Sequence, residues 1–199
     1  FDGLREMLSL EQAGNLQVLL MGVLDHGVAG DVVEFGCHTG SSTTVLAQVL
    51  LGSCREGHLH VYDHFDDRWT PEKNTRLRLE SNFRTRQLPI PHVHAGNVLN
   101  SVPGELPEHI AFAHLDLGTG GDAALLQHVA LHVLTHLYPR LSQHGILLIM
   151  DYHPPDPRIA CPNRDSGITE VCNSFFADKP ETVRALYGGP CSHAYVRKR

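Results

Sequence analysis

The sequence predicts an α/β domain: a mostly parallel β-sheet with helices on both faces and an antiparallel hairpin at the C-terminal end. Three observations lead there. Short apolar runs alternate along the chain with longer stretches at helical spacing, the pattern of strand-helix repeats. The run Gly145 to Asp151 is apolar almost throughout, as in a central strand covered on both faces. The last two strand-like segments, Val183 to Tyr187 and Ala194 to Arg197, flank Gly188-Gly189 as the arms of a hairpin do.

Each element has its own signal. Leu16, Leu19, Leu20, Val23 and Leu24 repeat at helical spacing until His26-Gly27 stops them. Asp31 to Phe35 reads as the first strand, broken at Gly36, and Ser41 to Leu51 as a helix with Gly52 at its stop. His58 to Asp63 alternates polar and apolar as a second strand. A polar loop with the only tryptophan, Trp69, follows, then a helix from Pro71 to about Arg86. His92 to Ala95 is a short third strand ended by Gly96-Asn97, and Ile110 to Asp116 is the fourth. Ala123 to Leu137 keeps Leu126, Val129, Val133 and Leu137 on one side of a helix; a proline-rich loop, Pro154 to Pro162, precedes a last helix from Ile168 to Ala177.

With 199 residues and no repeat or composition break, the chain reads as one domain, 1–199, with an N-terminal helical segment over 1–30. It starts with Phe1 rather than Met, which leaves open that this segment is truncated. The formal charge of −6 tells against a nucleic-acid surface, and no apolar stretch is long enough to span a bilayer. Five cysteines with no C-x-x-C pair fit a reducing cytoplasm rather than a disulfide framework. A zinc site from Cys161, Cys172, Cys191 and His193 matches no common ligand spacing.

In a sheet of this kind ligands bind beyond the carboxyl ends of the strands, so the residues that end strands carry the chemistry. The turn Glu34-Phe35-Gly36-Cys37-His38-Thr39-Gly40 joins the first strand to a helix. Gly36 suits a tight exit and Gly40 a close backbone approach, while Ser41 and Ser42 are candidate caps for the helix that follows. Asp63 ends the second strand, where a carboxylate can accept the hydroxyls of a ribose. Gly96 and Asn97 end the third. The dinucleotide fingerprint requires glycine where His38 stands, which weakens NAD against other adenosine cofactors.

Along nearly its whole length the chain resembles the macrocin-type O-methyltransferases of the TylF/MycF kind. The likeness lies in Gly30 to Gly36, Val61 to Phe65, Asn82-Phe83, Gly96 to Pro103, Leu137 to Ser142 and Gly145 to Tyr152. It implies a Rossmann-like class I methyltransferase fold with a seven-stranded sheet, S-adenosylmethionine (SAM) as cofactor, and a hydroxyl of a sugar or natural product as acceptor. Glu34, Gly36, His38, Gly40, Ser41, Asp63, Gly96 and Asn97 are then the cofactor-binding candidates, and self-association is a possibility the family raises. The family's divalent metal would fall to Asp116, Met150 and Asp151, so one carboxylate is missing, and a further family aspartate falls on Gly118.

A protonated hydroxyl is a poor nucleophile and needs a base or a metal. His153 and Asp116 are the catalytic candidates: His153, two residues past Asp151, either replaces the lost base or completes a site for Mg2+ or another divalent ion with Asp116 and Asp151. Three function classes compete. They are O-methylation of a small molecule, SAM-dependent transfer to nitrogen or a rearrangement needing no strong base, and a SAM-binding partner subunit with a decayed metal site. Arg158 and Arg164 are candidate contacts for an anionic acceptor.

Overall fold

A computed structural model describes residues 8–66, 73–153, 167–189 and 192–199. The expectations on Trp69, Pro71, Arg158, Arg164, Cys161, Cys191 and the proline-rich loop fall outside these residues.

Seven strands form one sheet in the order β3-β2-β1-β4-β5-β7-β6. They are β1 (Asp31–Phe35), β2 (Leu59–Asp63), β3 (His92–Ala95), β4 (Ile110–Leu115), β5 (Leu141–Met150), β6 (Arg184–Leu186) and β7 (His193–Arg197). Strands β1 to β5 pair in parallel; β7 inserts antiparallel beside β5 and pairs with β6 as the hairpin. The α/β class, the seven strands and the C-terminal hairpin are thus as the sequence indicates.

The helices are α1 (Leu10–Asp25), α2 (Ser41–Gly52), α3 (Thr75–Thr85), α4 (Val98–Ser101), α5 (Ala123–Leu137) and α6 (Ile168–Phe176). A capping box starts α1: Ser9 accepts from the Gln12 backbone while the Gln12 side chain accepts from Ser9. Short α4 has no apolar period to announce it; Asn97 starts it by accepting from Leu99 N at 3.0 Å.

Alternation along the strands divides the core into two layers. One face packs Leu16 and Leu20 of α1, Leu46 and Leu50 of α2, and Leu79 and Phe83 of α3 against Val32, Val61, Phe112 and Leu148. The other packs Leu126, Val133 and Leu137 of α5 and Phe176 of α6 against Val33, Phe35, Ala113 and Ile149. Each fully buried Leu or Phe contributes roughly 1.5–3 kcal/mol over its exposed state. Every residue of β4 is buried, and strand order reverses between β1 and β4. The carboxyl ends of those two strands open on the site.

Candidate active site

Gly36 is the tightest point. Its φ is +84°, and a Cβ there would lie 1.8 Å from the Asp116 carbonyl oxygen, so no side chain fits without parting β1 from β4. The turn that follows is strapped by Asp63. One carboxylate oxygen accepts from the backbone N–H groups of Cys37 at 2.8 Å and His38 at 2.7 Å, and the other from Phe65 N at 2.6 Å. The residue read as a ribose acceptor therefore also holds the glycine turn in shape. Asn82 of α3 adds a bond to the Thr39 carbonyl at 2.9 Å.

The expected serine caps are not formed. Gly40, left-handed at φ 91°, is itself the N-cap of α2 and no side chain caps that end, so Ser41 is simply the first helical residue. Left-handed backbone at the N-cap favours glycine, which has no side chain with which to cap.

Glu34 lies beneath the turn rather than in its mouth. It is fully buried; one oxygen accepts from His114 Nδ1 at 2.8 Å, and the other takes the Thr43 hydroxyl of α2. Burial alone would lower the His114 pKa, but the hydrogen bond and charge of Glu34, with Asp116 nearby, raise it overall. The pairing of His114 with Glu34, 80 residues away, carries no local sequence signal.

A cavity of about 760 Å³ opens over the strand ends. Of the candidates, Gly36, His38, Asp63, Gly96, Asn97, Asp116 and Asp151 line it; Glu34, Gly40, Ser41 and His153 do not. Sequence reasoning missed its apolar wall, formed by Tyr62, Val98, Leu99, Leu117, Leu126 and Val129. It also missed the loop Gly118 to Asp122 along the rim, of which only Gly118 was legible, as an absent carboxylate.

Electrostatics separates the ionisable groups. Burial pushes the Asp116 carboxyl up to about 7; His114 opposes this, while Asp151, Glu34 and Asp63 add to it. Burial lowers His38, against the pull of Asp63, and its Nε2 is buried without a hydrogen-bond partner among the described residues. The Cys37 thiol is pushed well up by burial and by Asp63 and Glu34, which removes it as a nucleophile.

The structure does not show the expected metal centre. Among the described residues no group of three or more His, Cys, Asp and Glu side chains is arranged to hold a metal ion, so Asp116, Asp151 and His153 are not assembled as one centre. The donor chemistry agrees: Met150 and Gly118 stand where the resemblance requires carboxylates. His153 is buried, and its backbone N–H and carbonyl both bond Thr169 Oγ1, at 2.9 Å and 3.2 Å, which anchors it to α6.

Sheet order, glycine turn and strand-end cavity together define a class I, SAM-dependent methyltransferase. The chain belongs to the family described as a methyltransferase domain, which matches residues 33–152, from β1 to just past β5. That family is broader than the macrocin-type resemblance. No curated protein sequence matches the chain. Among solved structures it is similar to the O-methyltransferase NovP, with 19% identity, 96% of this chain and 80% of that chain covered, and a TM-score of 0.69. It is similar also to CalS11, a TDP-rhamnose 3'-O-methyltransferase of calicheamicin biosynthesis, at 19% identity, 96% and 81% coverage and TM-score 0.66. The SAH-bound Podospora anserina methyltransferase PaMTH1 follows at 14% identity, 92% and 76% coverage and TM-score 0.64. At these identities the likeness speaks for the fold. No helix among the described residues is long and apolar enough to cross a membrane.

Proposed function

We propose that this chain transfers the methyl group of SAM to a hydroxyl of a small sugar or natural product. One observation carries the reading: the strapped turn, Gly96-Asn97 and the paired carboxylates Asp116 and Asp151 all face a single cavity. The naming of NovP and CalS11 as O-methyltransferases supports the oxygen acceptor.

Asp116 is the base in this scheme. The hydroxyl oxygen attacks the methyl carbon in line, the carbon–sulfur bond breaks, S-adenosylhomocysteine leaves, and the hydroxyl proton passes to Asp116. A carboxyl raised to about 7 can take up that proton near neutral pH far better than an ordinary aspartate. Placement of the two reactants in one cavity supplies much of the remaining acceleration. No step is routed through a metal, because the donor set does not fit one. Transfer to nitrogen is the second reading, favoured by Gly118, which stands where the resemblance expects a carboxylate.

Thermal unfolding with SAM, S-adenosylhomocysteine or NAD tests the cofactor. A ligand at 100 times its Kd stabilises by about 2.7 kcal/mol; both adenosyl-sulfur compounds should raise the midpoint and NAD should not. No shift with either sinks the reading. Detection of S-adenosylhomocysteine in a screen of hydroxyl and amine acceptors then separates oxygen from nitrogen.

A further inference from the structure

Three histidines share one face of two neighbouring strands at the edge of the sheet, away from the cofactor turn. His60 of β2 stands opposite His92 of β3, and His94 follows two positions along β3. Each ring has one nitrogen directed at an oxygen. His94 Nδ1 is 2.5 Å from Glu105 Oε2, His92 Nε2 is 3.1 Å from the Gly57 carbonyl, and His60 Nε2 is 3.6 Å from Asp31 Oδ2. The other oxygen of Asp31 takes His58 Nδ1 at 2.6 Å. On the inner side, His60 Nδ1 and His94 Nε2 face each other at 3.1 Å, and the His92 ring stacks on His60 with centroids 4.7 Å apart.

Imidazoles that bind metals characteristically give their second ring nitrogen to a carboxylate or a backbone carbonyl, which fixes the tautomer and leaves the first for the ion. Here that outer shell exists for His94 and His92, while Asp31 stands 3.6 Å from His60 Nε2, just beyond hydrogen-bond reach. Two nitrogens on one tetrahedral ion at 2.0–2.1 Å lie about 3.3 Å apart, a small adjustment from the 3.1 Å between His60 and His94. A proton bridges that pair as it stands, and the three rings do not yet converge. His92, exposed at the edge, has to turn off its stack to add a third nitrogen. The site is accessible: the His60 and His94 side chains are each 19% exposed.

We propose that His60 and His94, joined by His92, bind one divalent transition ion of the Zn2+ or Ni2+ class, the bridging proton moving to His60 Nε2, which faces Asp31. Imidazole donors select such ions over Mg2+ and Ca2+. The site also adjoins the cofactor cavity: Tyr62, which lines it, stacks on His94 at 4.3 Å and donates its hydroxyl to the Glu105 carbonyl at 2.6 Å. An ion at the edge therefore stiffens that wall. The inference stands independently of the methyltransferase reading.

The test uses the untagged chain, stripped with a chelator, and titrates Zn2+ and Ni2+ against a chromophoric competitor, with Mg2+ as the comparison. One equivalent of Zn2+ or Ni2+ is expected to bind and Mg2+ to show none. His60→Gln and His94→Gln should each weaken binding at least tenfold, with folding checked by circular dichroism. The exposed His128→Gln should leave it unchanged. Glu105→Gln, at a half-exposed side chain, should weaken it about tenfold through the loss of its charged bond to His94. Absence of stoichiometric binding overturns the proposal. So does binding that survives both histidine changes, or that is lost instead with Asp151→Asn in the cavity.

Discussion

His114 and Glu34 form a fully buried couple, Nδ1 to Oε1 at 2.8 Å, that joins β4 to β1 directly below the glycine turn. Removing one member leaves the other charge uncompensated, which costs about 3–5 kcal/mol. Glu34→Ala should therefore lower the stability read from urea unfolding by that amount. The double change Glu34→Leu with His114→Leu should cost clearly less than the sum of the two single changes. Additive losses would show that the pair is not coupled.

Asp63 should matter to the cofactor through the turn as well as directly. Asp63→Ala removes the acceptor of three backbone N–H groups. Hydrogen bonds to a charged group contribute about 1.5–3 kcal/mol each. SAM affinity by calorimetry is expected to fall by a factor of about 10–100 even where the protein stays folded. An unchanged Kd would separate the strap from binding.

Gly36 admits no replacement. Gly36→Ala places a methyl group against the Asp116 carbonyl in a left-handed backbone, and the expected outcome is loss of the SAM-induced thermal shift together with a lower midpoint. Gly57, with open space around its Cβ position, is the control: Gly57→Ala should leave both unchanged.

His193 should give the fold an acid limit. Burial, with the charge of His114 second, lowers its pKa to about 4, from 6.5 unfolded. A depressed folded pKa means its stability is present above 6.5 and lost as pH falls towards 4, by about 3 kcal/mol. His193→Gln should flatten the part of the stability curve between those values relative to the unmodified chain. Parallel curves would refute the assignment.

Once an acceptor is found, Asp116→Asn should cut kcat by about 10²–10⁴, while His153→Ala, anchored outside the cavity, should change it by only a few fold. The rate in the unmodified chain should climb as pH rises through about 7, where Asp116 becomes ionised. Equal losses in both variants would return His153 to the chemistry.

The sheet was legible because its signals are local. Apolar runs mark β4 and β5, Gly36 marks the break after β1, and Gly188-Gly189 mark the hairpin. The site was legible only where a residue ends a strand, as with Asp63, Gly96 and Asp116. What escaped depends on contacts between distant elements: the bond from His114 to Glu34, the strap from Asp63 to Cys37, the apolar wall from α5. The serine caps failed for a local reason, since spacing alone does not reveal that Gly40 adopts the left-handed conformation. His153 lies in the right segment of chain, but it is not among the residues that line the cavity.

The hairpin at the edge of the sheet also holds the first helix. Ser9 donates to the Gly188 carbonyl at 2.7 Å across 179 positions, and Asn15 bonds both the Tyr187 carbonyl at 2.9 Å and His193 Nε2 at 3.1 Å. The first helix thus docks in part on residues that lie 172 to 179 positions further along the chain. During synthesis these contacts of α1 must wait until β6 and β7 leave the ribosome. Contacts of such separation slow folding.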